Sequence, residues 1–515
     1  MLFALFWRIS LSTPMDSDGA NNALQAWAML HGQPLLHGWI IGDASFYTFE
    51  LPLYAVIEAI AGLSGPVFHV AGALTYLIVA ALAMALAAGG SRGAAMVARC
   101  GVVIAVLAAP IATQQGTSVL LEAPDHIGTS AFLLASFLLA DRAAGRWFTP
   151  PLLAVILCAG QVGDGTVLYV AVPAILVVSI CQVLAARKIR AADTAIALAA
   201  AASVPMTSLV RAVMLHLGGF SMVPPKTAIS PPGLWPRHLM LTWRAIRTLY
   251  GAFGATVIPY RSPLSGPAAV FGLACLLAAA FGFGRAVWAW RVGDRAGQML
   301  CGAIVANLAV YTFSTLPSTY SSREVAAVLP CGAVLAARGC VPARIAGVSR
   351  ARLAAAAVGV AALLPLAAAA GTLPPVTPPA VPLAAWLEAH GLRYGIAGYW
   401  NASAVTLQSA NRVQVRAVAS WYYRPGSPGE PPEHVWGVGE ISPFYWETKA
   451  AWYDPADHDA TFAIAGGEYP DAKPLTTAEV WHVYGRPAAV YQVAGCAIMI
   501  YRTNLLGRLG TPWMP

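Results

Sequence analysis

A series of long apolar runs constrains this chain more than any other feature. The runs lie near 66–89, 95–112, 127–141, 150–162, 166–186, 193–216, 266–284, 298–316, 324–338 and 353–370. A helix needs about 20 mostly apolar residues to cross a bilayer. Only 10% of the 515 residues are charged, whereas a soluble domain has about 25%. We therefore predict a polytopic membrane protein, and this composition excludes a soluble enzyme, a disordered chain and a nucleic-acid-binding protein.

The opening segment 1–13 is apolar but short, and it carries Arg8. No small-residue cleavage site of a signal peptide follows it. We therefore expect it to form a first span, and its shortness is consistent with a start codon assigned late. The predicted total is then eleven membrane-spanning helices.

Charges are unequally divided between the two sets of loops that these spans define. One set carries the cations Arg92, Arg99, Arg142, Arg146, Arg187, Lys188, Arg190, Arg285, Arg291, Arg295, Arg338, Arg344, Arg350 and Arg352. The opposite set carries the acids Asp16, Asp18, Asp43, Glu50, Glu58, Glu122, Asp125, Asp164 and Glu324. Because Lys and Arg accumulate in cytoplasmic loops, we predict an N-terminus in the cytoplasm and a C-terminal tail outside the cytoplasmic (inner) membrane.

Two long loops lie on the predicted outer face, at 14–65 and 217–265. The first contains a helical stretch at 19–31 and an amphipathic one at 51–63. The second is rich in proline and leads into a stretch of cations and aromatic residues at 235–250. Helical spacing in that stretch predicts a helix lying in the membrane interface, and a phosphate clamp is the alternative.

A proline-rich linker at 371–383 separates the membrane domain, 1–370, from a tail of different composition, 384–515. Patterns in the tail predict helices at 383–390 and 401–410, strands at 394–399, 413–418 and near 461–465, and a closing helix and strand within 477–502. Such alternation predicts a small α/β domain. The tail aromatics Trp421, Tyr422, Tyr423, Trp436, Tyr445 and Trp446 are typical of either the core of that domain or a sugar-binding surface.

Cysteine and histidine give no metal signature. The eight cysteines include no CxxC pair, and seven of them lie in or beside apolar segments, so neither a disulfide framework nor a structural zinc site is expected. His31, His37 and His126 lie near the outer loops without the spacing of metal ligands.

Carboxylates at the predicted outer face are the candidate functional residues, because charge close to a bilayer is costly and is retained mainly for function. Asp16 and Asp18 precede an apolar-periodic helix, where Asp18 is either a functional acid or a helix cap. Asp125 follows Pro124 at a span start, so the same two interpretations apply there. Asp164 lies in a tight turn, where a turn role is favoured over a site.

The stretch Asp18–Leu24 (DGANNAL), continued by Met29–Gly32 (MLHG), resembles the first outer loop of the GT-C glycosyltransferases, especially the protein O-mannosyltransferase and lipid A aminoarabinose transferase branch. Further similarity lies in Glu50–Tyr54 (ELPLY), Glu122–His126 (EAPDH) and Ser322–Pro330. The chain departs from the family pattern at four positions. Gly19 replaces a Glu, Asn21 and Asn22 replace tyrosines, and Glu50 replaces a Lys.

This resemblance implies an all-α polytopic GT-C-like membrane protein with a small extracytoplasmic C-terminal α/β domain. It implies inverting transfer of a sugar from a polyprenyl-phosphate-linked donor to a lipid, glycan or protein acceptor. The implied base is Asp18, or Asp16, which two residues earlier supplies the carboxylate missing at Gly19. Asp125 would be a second carboxylate that positions the acceptor or a metal.

The remaining site residues also follow from the resemblance. Arg323, with one of Lys226, Arg237, Arg244 or Arg247, would hold the donor phosphate, since guanidinium pairs with phosphate bidentately. The residues Glu50, Tyr54, Glu122 and His126 would line the acceptor loop. Whether a divalent cation (Mg²⁺ or Mn²⁺) takes part is left open, and Asp18 and Asp125 would hold it.

Two other functions remain as alternatives. A polyprenyl-lipid transporter or flippase would show ionisable residues in mid-span and repeated halves, and neither is visible in the sequence. A non-catalytic assembly subunit would use the tail to bind a partner, and it would keep its role after Asp18 is replaced.

Overall fold

The computed structural model describes the whole chain except residues 113–115, 122–125, 187–189, 225–226, 253–264, 291–293, 320, 345–347, 425–432, 468–473 and 513–515. In chain order the helices are α1 (Leu2–Ser10), α2 (Ser17–Leu30), α3 (Glu50–Ala61), α4 (Pro66–Ala88), α5 (Gly93–Ala112), α6 (Thr117–Leu121), α7 (Thr129–Arg142), α8 (Thr149–Gly163), α9 (Thr166–Ala186), α10 (Ala191–His216), α11 (Trp235–Leu249), α12 (Ser265–Trp288), α13 (Arg295–Phe313), α14 (Val328–Cys340), α15 (Val348–Thr372), α16 (Ala380–Ala389), α17 (Tyr399–Gln408) and α18 (Thr477–Tyr484).

The strands are β1 (Trp39–Ile41), β2 (Ser221–Met222), β3 (Tyr394–Ala397), β4 (Gln414–Arg424), β5 (Glu433–Trp436), β6 (Glu440–Pro443), β7 (Thr448–Lys449), β8 (Phe462–Gly466), β9 (Ala489–Val493) and β10 (Cys496–Ile500). Short 3-10 helices occupy Pro232–Leu234, Ser321–Val325, Ala450–Tyr453 and Leu505–Arg508.

The chain is a multi-pass membrane protein. Within the described residues, six helices are long and apolar enough to cross a bilayer: α4, α5, α9, α10, α12 and α13. Helices α7, α8 and α14 coincide with further predicted spans but are shorter. Helix α1 has nine residues and packs on α4, where Phe6 meets Tyr76 edge-on at 5.1 Å between ring centroids. The total of eleven spans stays a prediction.

Glycines allow a close helix contact between α12 and α14. A Cβ at Gly282 would lie 2.2 Å from the Leu335 carbonyl oxygen, and one at Gly339 would lie 2.7 Å from the Gly282 Cα. Lipid is as apolar as a leucine side chain, so membrane helices associate largely through such close backbone packing. A larger residue at either glycine would force these two helices apart.

Arginines from the predicted cytoplasmic loops gather at the far end of α4. Arg99, Arg142 and Arg338 all donate to carbonyls of its last turn, Ala85–Ala88. The Arg99 Nη1 contact is 3.2 Å and the Arg338 Nε contact is 3.0 Å. These guanidinium groups satisfy the carbonyls that a helix end leaves without partners, and they complement its negative dipole end.

A three-stranded sheet joins three distant parts of the chain in the order β2-β1-β7. Strand β1, from the first outer loop, pairs in parallel with β2 from the second and antiparallel with β7 from the tail. Both long loops and the tail therefore lie on the same side of the membrane bundle. A shared core accompanies this sheet, in which α2 packs on α17 and residues such as Leu24 and Leu407 are buried together.

The tail forms an α/β domain around a second sheet in the order β5-β4-β3-β8-β10-β9, with β6 also paired to β4. Strands β3 and β4 are parallel and are connected by α17. The predicted strand at 413–418 extends to Arg424, and the strand expected within 477–502 is a hairpin of β9 and β10. The fold class expected from the sequence, a helical membrane domain with a small α/β domain after it, is confirmed.

Candidate functional site

Helix α2 begins with two acids that have different surroundings. The Asp16 side chain caps the helix, because its Oδ1 accepts the Gly19 N–H at 2.9 Å. The helix cap considered for Asp18 is therefore supplied by Asp16. Asp18 lies in the first turn of the helix, and its carboxylate instead contacts Tyr399 of the C-terminal domain and Arg323.

Tyr399 connects the C-terminal domain to Asp18. Its hydroxyl donates to Asp18 Oδ1, and the Asn21 amide donates to the same hydroxyl at 3.3 Å. Ser403, one turn further along α17, donates to Asn21 Oδ1 at 2.5 Å. The Glu447 Oε2 lies 3.5 Å from the Tyr399 hydroxyl oxygen. We call these five residues the Asp18 cluster.

Glu447 occupies an unusual position in this cluster. Its backbone φ is +52°, a conformation that is costly for a residue with a side chain. It is 5% exposed. Burial, and then the charge of Asp18, raise the pKa of its carboxyl well above the ordinary value of 4.5. Both effects favour the protonated form of this carboxyl.

A second group of ionisable residues surrounds His126. The His126 Nδ1 lies 2.6 Å from Asp164 Oδ2, and its Nε2 lies 3.5 Å from Glu324 Oε1. Thr129 donates to Asp164 Oδ2 at 2.5 Å, and the Thr166 N–H donates to Asp164 Oδ1 at 2.8 Å. We call His126, Asp164 and Glu324 the His126 triad. Asp164 thus accepts a turn hydrogen bond, as expected, and in addition holds His126.

Charge balance in the triad favours the imidazolium form. Burial alone would lower the pKa of His126, but Glu324 and Asp164 outweigh it and raise that pKa well above 6.5. Burial alone would raise the pKa of the Asp164 and Glu324 carboxyls, but the charge of His126 outweighs burial and lowers both pKa values. Asp43 lies close to the same charges, and burial raises its pKa.

Arg323 lies between the two groups. Its Nη1 is 3.7 Å from Asp18 Oδ2, and its Nε is 3.9 Å from Glu324 Oε1. The 3-10 helix that carries it, Ser321–Val325, packs against α11. The Arg323 side chain is 42% exposed. Its guanidinium can therefore bind an incoming anion while it keeps the contacts with Asp18 and Glu324.

Asp18 and Arg323 face a cavity of about 410 Å³ beneath the C-terminal domain. The other described lining residues are Gly398, Tyr399, Trp400, Val418, Ala419, Ser420, Trp436, Phe444, Trp446, Pro474, Leu475 and Glu479. Gly398 and Tyr399 follow the end of β3, so the cavity opens at the carboxyl end of a parallel strand, which is where α/β sheets commonly bind ligands. The site is therefore shared between the first outer loop, the 321–325 segment and the tail.

The other residues predicted for the site are placed as follows. Glu122, Asp125 and Lys226 lie outside the described residues. Of the three α11 arginines, Arg237 is exposed, and Arg244 and Arg247 are half-buried on the helix that contacts the Arg323 segment.

Glu50 and Tyr54 of α3 are buried, and neither is among the described residues that line the cavity. Among the residues that the structure describes, Glu50 Oε1 has no hydrogen-bond partner, and burial raises the pKa of this carboxyl to about 8.

No grouping of three or more His, Cys, Asp or Glu side chains suited to a metal ion occurs among the residues that the structure describes. All eight cysteines are free.

Sequence reasoning missed Tyr399 and Glu447. Tyr399 carries a usable signal, since it is the last residue of the predicted strand 394–399, shortly before the predicted helix 401–410, and α/β domains commonly place functional residues at the carboxyl ends of strands. Glu447 carries no such signal. It lies in an irregular segment before the two-residue strand β7, and its contact with Asn21 spans most of the chain.

No family model and no curated protein matches the chain. Its structure is similar to the crystal structure of ArnT from Cupriavidus metallidurans bound to undecaprenyl phosphate, with a TM-score of 0.53 over 99% of this chain and 97% of that chain. The chain has the GT-C fold. The GT-C resemblance noted in its residues is thereby confirmed at the level of fold, and at 13% identity the likeness extends to the fold alone.

Proposed function

We propose that this GT-C-fold protein is an inverting glycosyltransferase that uses a polyprenyl-phosphate-linked sugar. The observation that carries the proposal is the pairing of a carboxylate and a guanidinium, Asp18 and Arg323, 3.7 Å apart on one cavity. Transfer to a hydroxyl needs a base for the hydroxyl proton and positive charge for the departing phosphate. The bound undecaprenyl phosphate in the similar ArnT structure supports a polyprenyl phosphate as the lipid.

In the proposed reaction, Asp18 accepts the proton from the acceptor hydroxyl. The hydroxyl oxygen forms a bond to the sugar C1, and the bond from C1 to the phosphate oxygen breaks on the opposite face, which inverts the configuration. Polyprenyl phosphate leaves with the electron pair of that bond, and Arg323 stabilises its charge. The Tyr399 hydroxyl orients Asp18 through its hydrogen bond.

Asp16 is the weaker candidate for the base, because its carboxylate already accepts the Gly19 N–H. Asp125 is retained as a proposed second carboxylate next to His126. Arg244 and Arg247 are proposed to extend the phosphate site, since α11 lies against the segment of Arg323. The reaction is written with Arg323 as the charge partner.

We further propose that this chemistry takes place on the outer face of the cytoplasmic membrane. Helix α2 shares a buried core with Val67 and Phe68 at the start of α4, whereas the arginines lie at the last turn of that helix. The cationic end of a membrane protein is cytoplasmic by the positive-inside rule. The domain boundaries predicted from composition, 1–370 and 384–515 with a linker between them, are retained in this proposal.

A pair of matched variants tests the proposal. Purified protein in nanodiscs is incubated with radiolabelled polyprenyl-phosphate sugars, and release of polyprenyl phosphate is measured for the wild type, Asp18→Asn and Asp16→Asn. Loss of a general base costs about 10²- to 10⁴-fold in rate, so we expect that loss for Asp18→Asn. Asn caps a helix about as well as Asp, so Asp16→Asn should keep wild-type stability and activity.

Each other outcome has a defined meaning. Activity kept in Asp18→Asn and lost in Asp16→Asn would move the base to Asp16. A folded wild-type protein that releases polyprenyl phosphate from none of the donors would refute the transferase and favour the assembly subunit.

A further inference from the structure

We propose that the cavity beneath the C-terminal domain binds the acceptor as an uncharged sugar ring. This inference rests on the proposed function and adds to it the chemical class of the acceptor. It would also make the C-terminal domain the part of the protein that selects the acceptor. Its evidence is the shape, the aromatic lining and the charge of the cavity.

The cavity has the size and lining of a small-molecule site. Its volume of about 410 Å³ falls within the range of about 300–1,000 Å³ that is usual for ligand pockets. Backbone and small side chains of β4, at Val418 and Ala419, form part of its wall. Aromatic side chains, together with Pro474 and Leu475, supply the rest of its apolar surface, which leaves few polar groups to fix the orientation of a ligand.

The aromatic rings form a row that starts at the proposed base. Tyr399, which donates to Asp18, lies 5.3 Å from Phe444 between ring centroids, and Phe444 lies 6.3 Å from Trp436. A sugar ring has an apolar face of C–H groups and a rim of hydroxyls. Such a ring stacked along this row would place its C–H groups on the aromatic faces and one hydroxyl towards Asp18.

Trp446 lines the same cavity and packs against the first outer loop. Its ring lies so close to Gly42 that a Cβ there would be 2.7 Å from Trp446 Cζ2. A glycine at this position lets the indole sit directly on the loop that carries Asp43. The aromatic wall is therefore fixed relative to the acidic site.

The charges on the cavity disfavour an anionic acceptor. Its described ionisable side chains are two carboxylates, Asp18 and Glu479, and one guanidinium, Arg323. That guanidinium is within 4 Å of two carboxylates already, and the proposed reaction uses it for the donor phosphate. A phosphate on the acceptor would lie close to uncompensated negative charge, whereas a neutral sugar would not.

The test compares neutral and phosphorylated sugars that share one ring. Methyl hexosides and the matched hexose 6-phosphates are added to the protein in nanodiscs, and binding is recorded by saturation-transfer NMR, which requires no turnover. Acceptor KM and kcat are then measured with a polyprenyl-phosphate sugar donor. The variants are Trp446→Ala and Trp436→Ala. Trp481→Ala is the matched control, because this tryptophan is 45% exposed in the same domain and is not among the described lining residues.

We expect methyl hexosides to bind through their C–H protons and to act as acceptors, and the 6-phosphates to be at least about tenfold weaker. Removing one stacking ring should raise the acceptor KM about tenfold with a smaller effect on kcat, and Trp481→Ala should match the wild type. Tighter binding of the phosphates, or an unchanged acceptor KM in both cavity variants, would overturn the inference. A wild type that binds methyl hexosides but consumes no donor would refute the proposed transferase and leave the sugar site standing.

Discussion

Replacing Tyr399 by phenylalanine tests whether the C-terminal domain takes part in the reaction. This change removes one hydroxyl that donates to Asp18 Oδ1, accepts from Asn21 and lies beside Glu447. The ring remains, and with it the packing on Phe444. Asp18 then keeps only Arg323 of the partners described above for its carboxylate.

The expected loss of rate follows from comparing the Tyr399 hydroxyl and Arg323 as partners of the Asp18 carboxylate. A hydrogen bond to a charged group contributes about 1.5–3 kcal/mol. An ion pair at 3.7 Å whose arginine is 42% exposed contributes about 0–1 kcal/mol because solvent screens it. Tyr399 is therefore the stronger of the two in fixing Asp18. We expect kcat to fall about 10- to 100-fold, with a much smaller change in donor KM.

The assay is release of polyprenyl phosphate at saturating donor, with Tyr394→Phe as the control. The Tyr394 hydroxyl donates within the same domain, to the Trp452 carbonyl at 2.6 Å, and is not among the described lining residues of the cavity. A double variant of Tyr399→Phe and Asp18→Asn should be no slower than Asp18→Asn alone, because both changes act on one group. A Tyr399→Phe enzyme with wild-type kcat, or fully additive losses, would refute the reasoning.

Three further predictions concern charge. The folded-state pKa of His126 is raised, so the triad's contribution to stability is complete below about pH 6.5 and is lost as pH rises through the higher folded value. His126→Gln should therefore lower the thermal unfolding temperature most at about pH 6, and an equal loss at every pH would contradict this. The Glu50 carboxyl has its pKa raised by burial to about 8, so wild-type stability should fall, relative to Glu50→Gln, as pH rises between its unfolded and folded values. Parallel unfolding profiles of those two proteins would count against it. Arg323→Lys keeps the charge but loses the bidentate fork, so donor KM should rise about tenfold, and an unchanged donor KM would exclude a phosphate contact there.

The membrane helices could be predicted from the sequence because an apolar run is recognisable from its own residues. A run such as 66–89 is apolar whatever lies around it, and the helix found there, Pro66–Ala88, differs by one residue at one end. Asp18 was singled out because an acid close to a bilayer is costly, and Arg323 because of the family resemblance. The structure brings the two within 3.7 Å of each other, and their roles stay predictions.

Contacts between distant residues account for what was missed. Tyr399 is 381 residues from Asp18, and no local periodicity relates them. The interpretation of Asp164 as mainly a turn residue was incomplete for the same reason, because its partner His126 lies on another helix start, 38 residues away. Buried polar groups need partners, but a sequence alone does not tell which partners the fold supplies.

The three-stranded sheet of β1, β2 and β7 has a consequence for how this protein is made. Its last strand, and both Tyr399 and Glu447, belong to the final quarter of the chain. Segments near the N-terminus leave the ribosome first, so every membrane helix is synthesised before the residues that hold Asp18 exist. A nascent or truncated chain would contain Asp18 but lack Tyr399 and Glu447. Under the proposed mechanism the enzyme is inactive until its last domain has folded, and donor lipid is not consumed by unfinished copies.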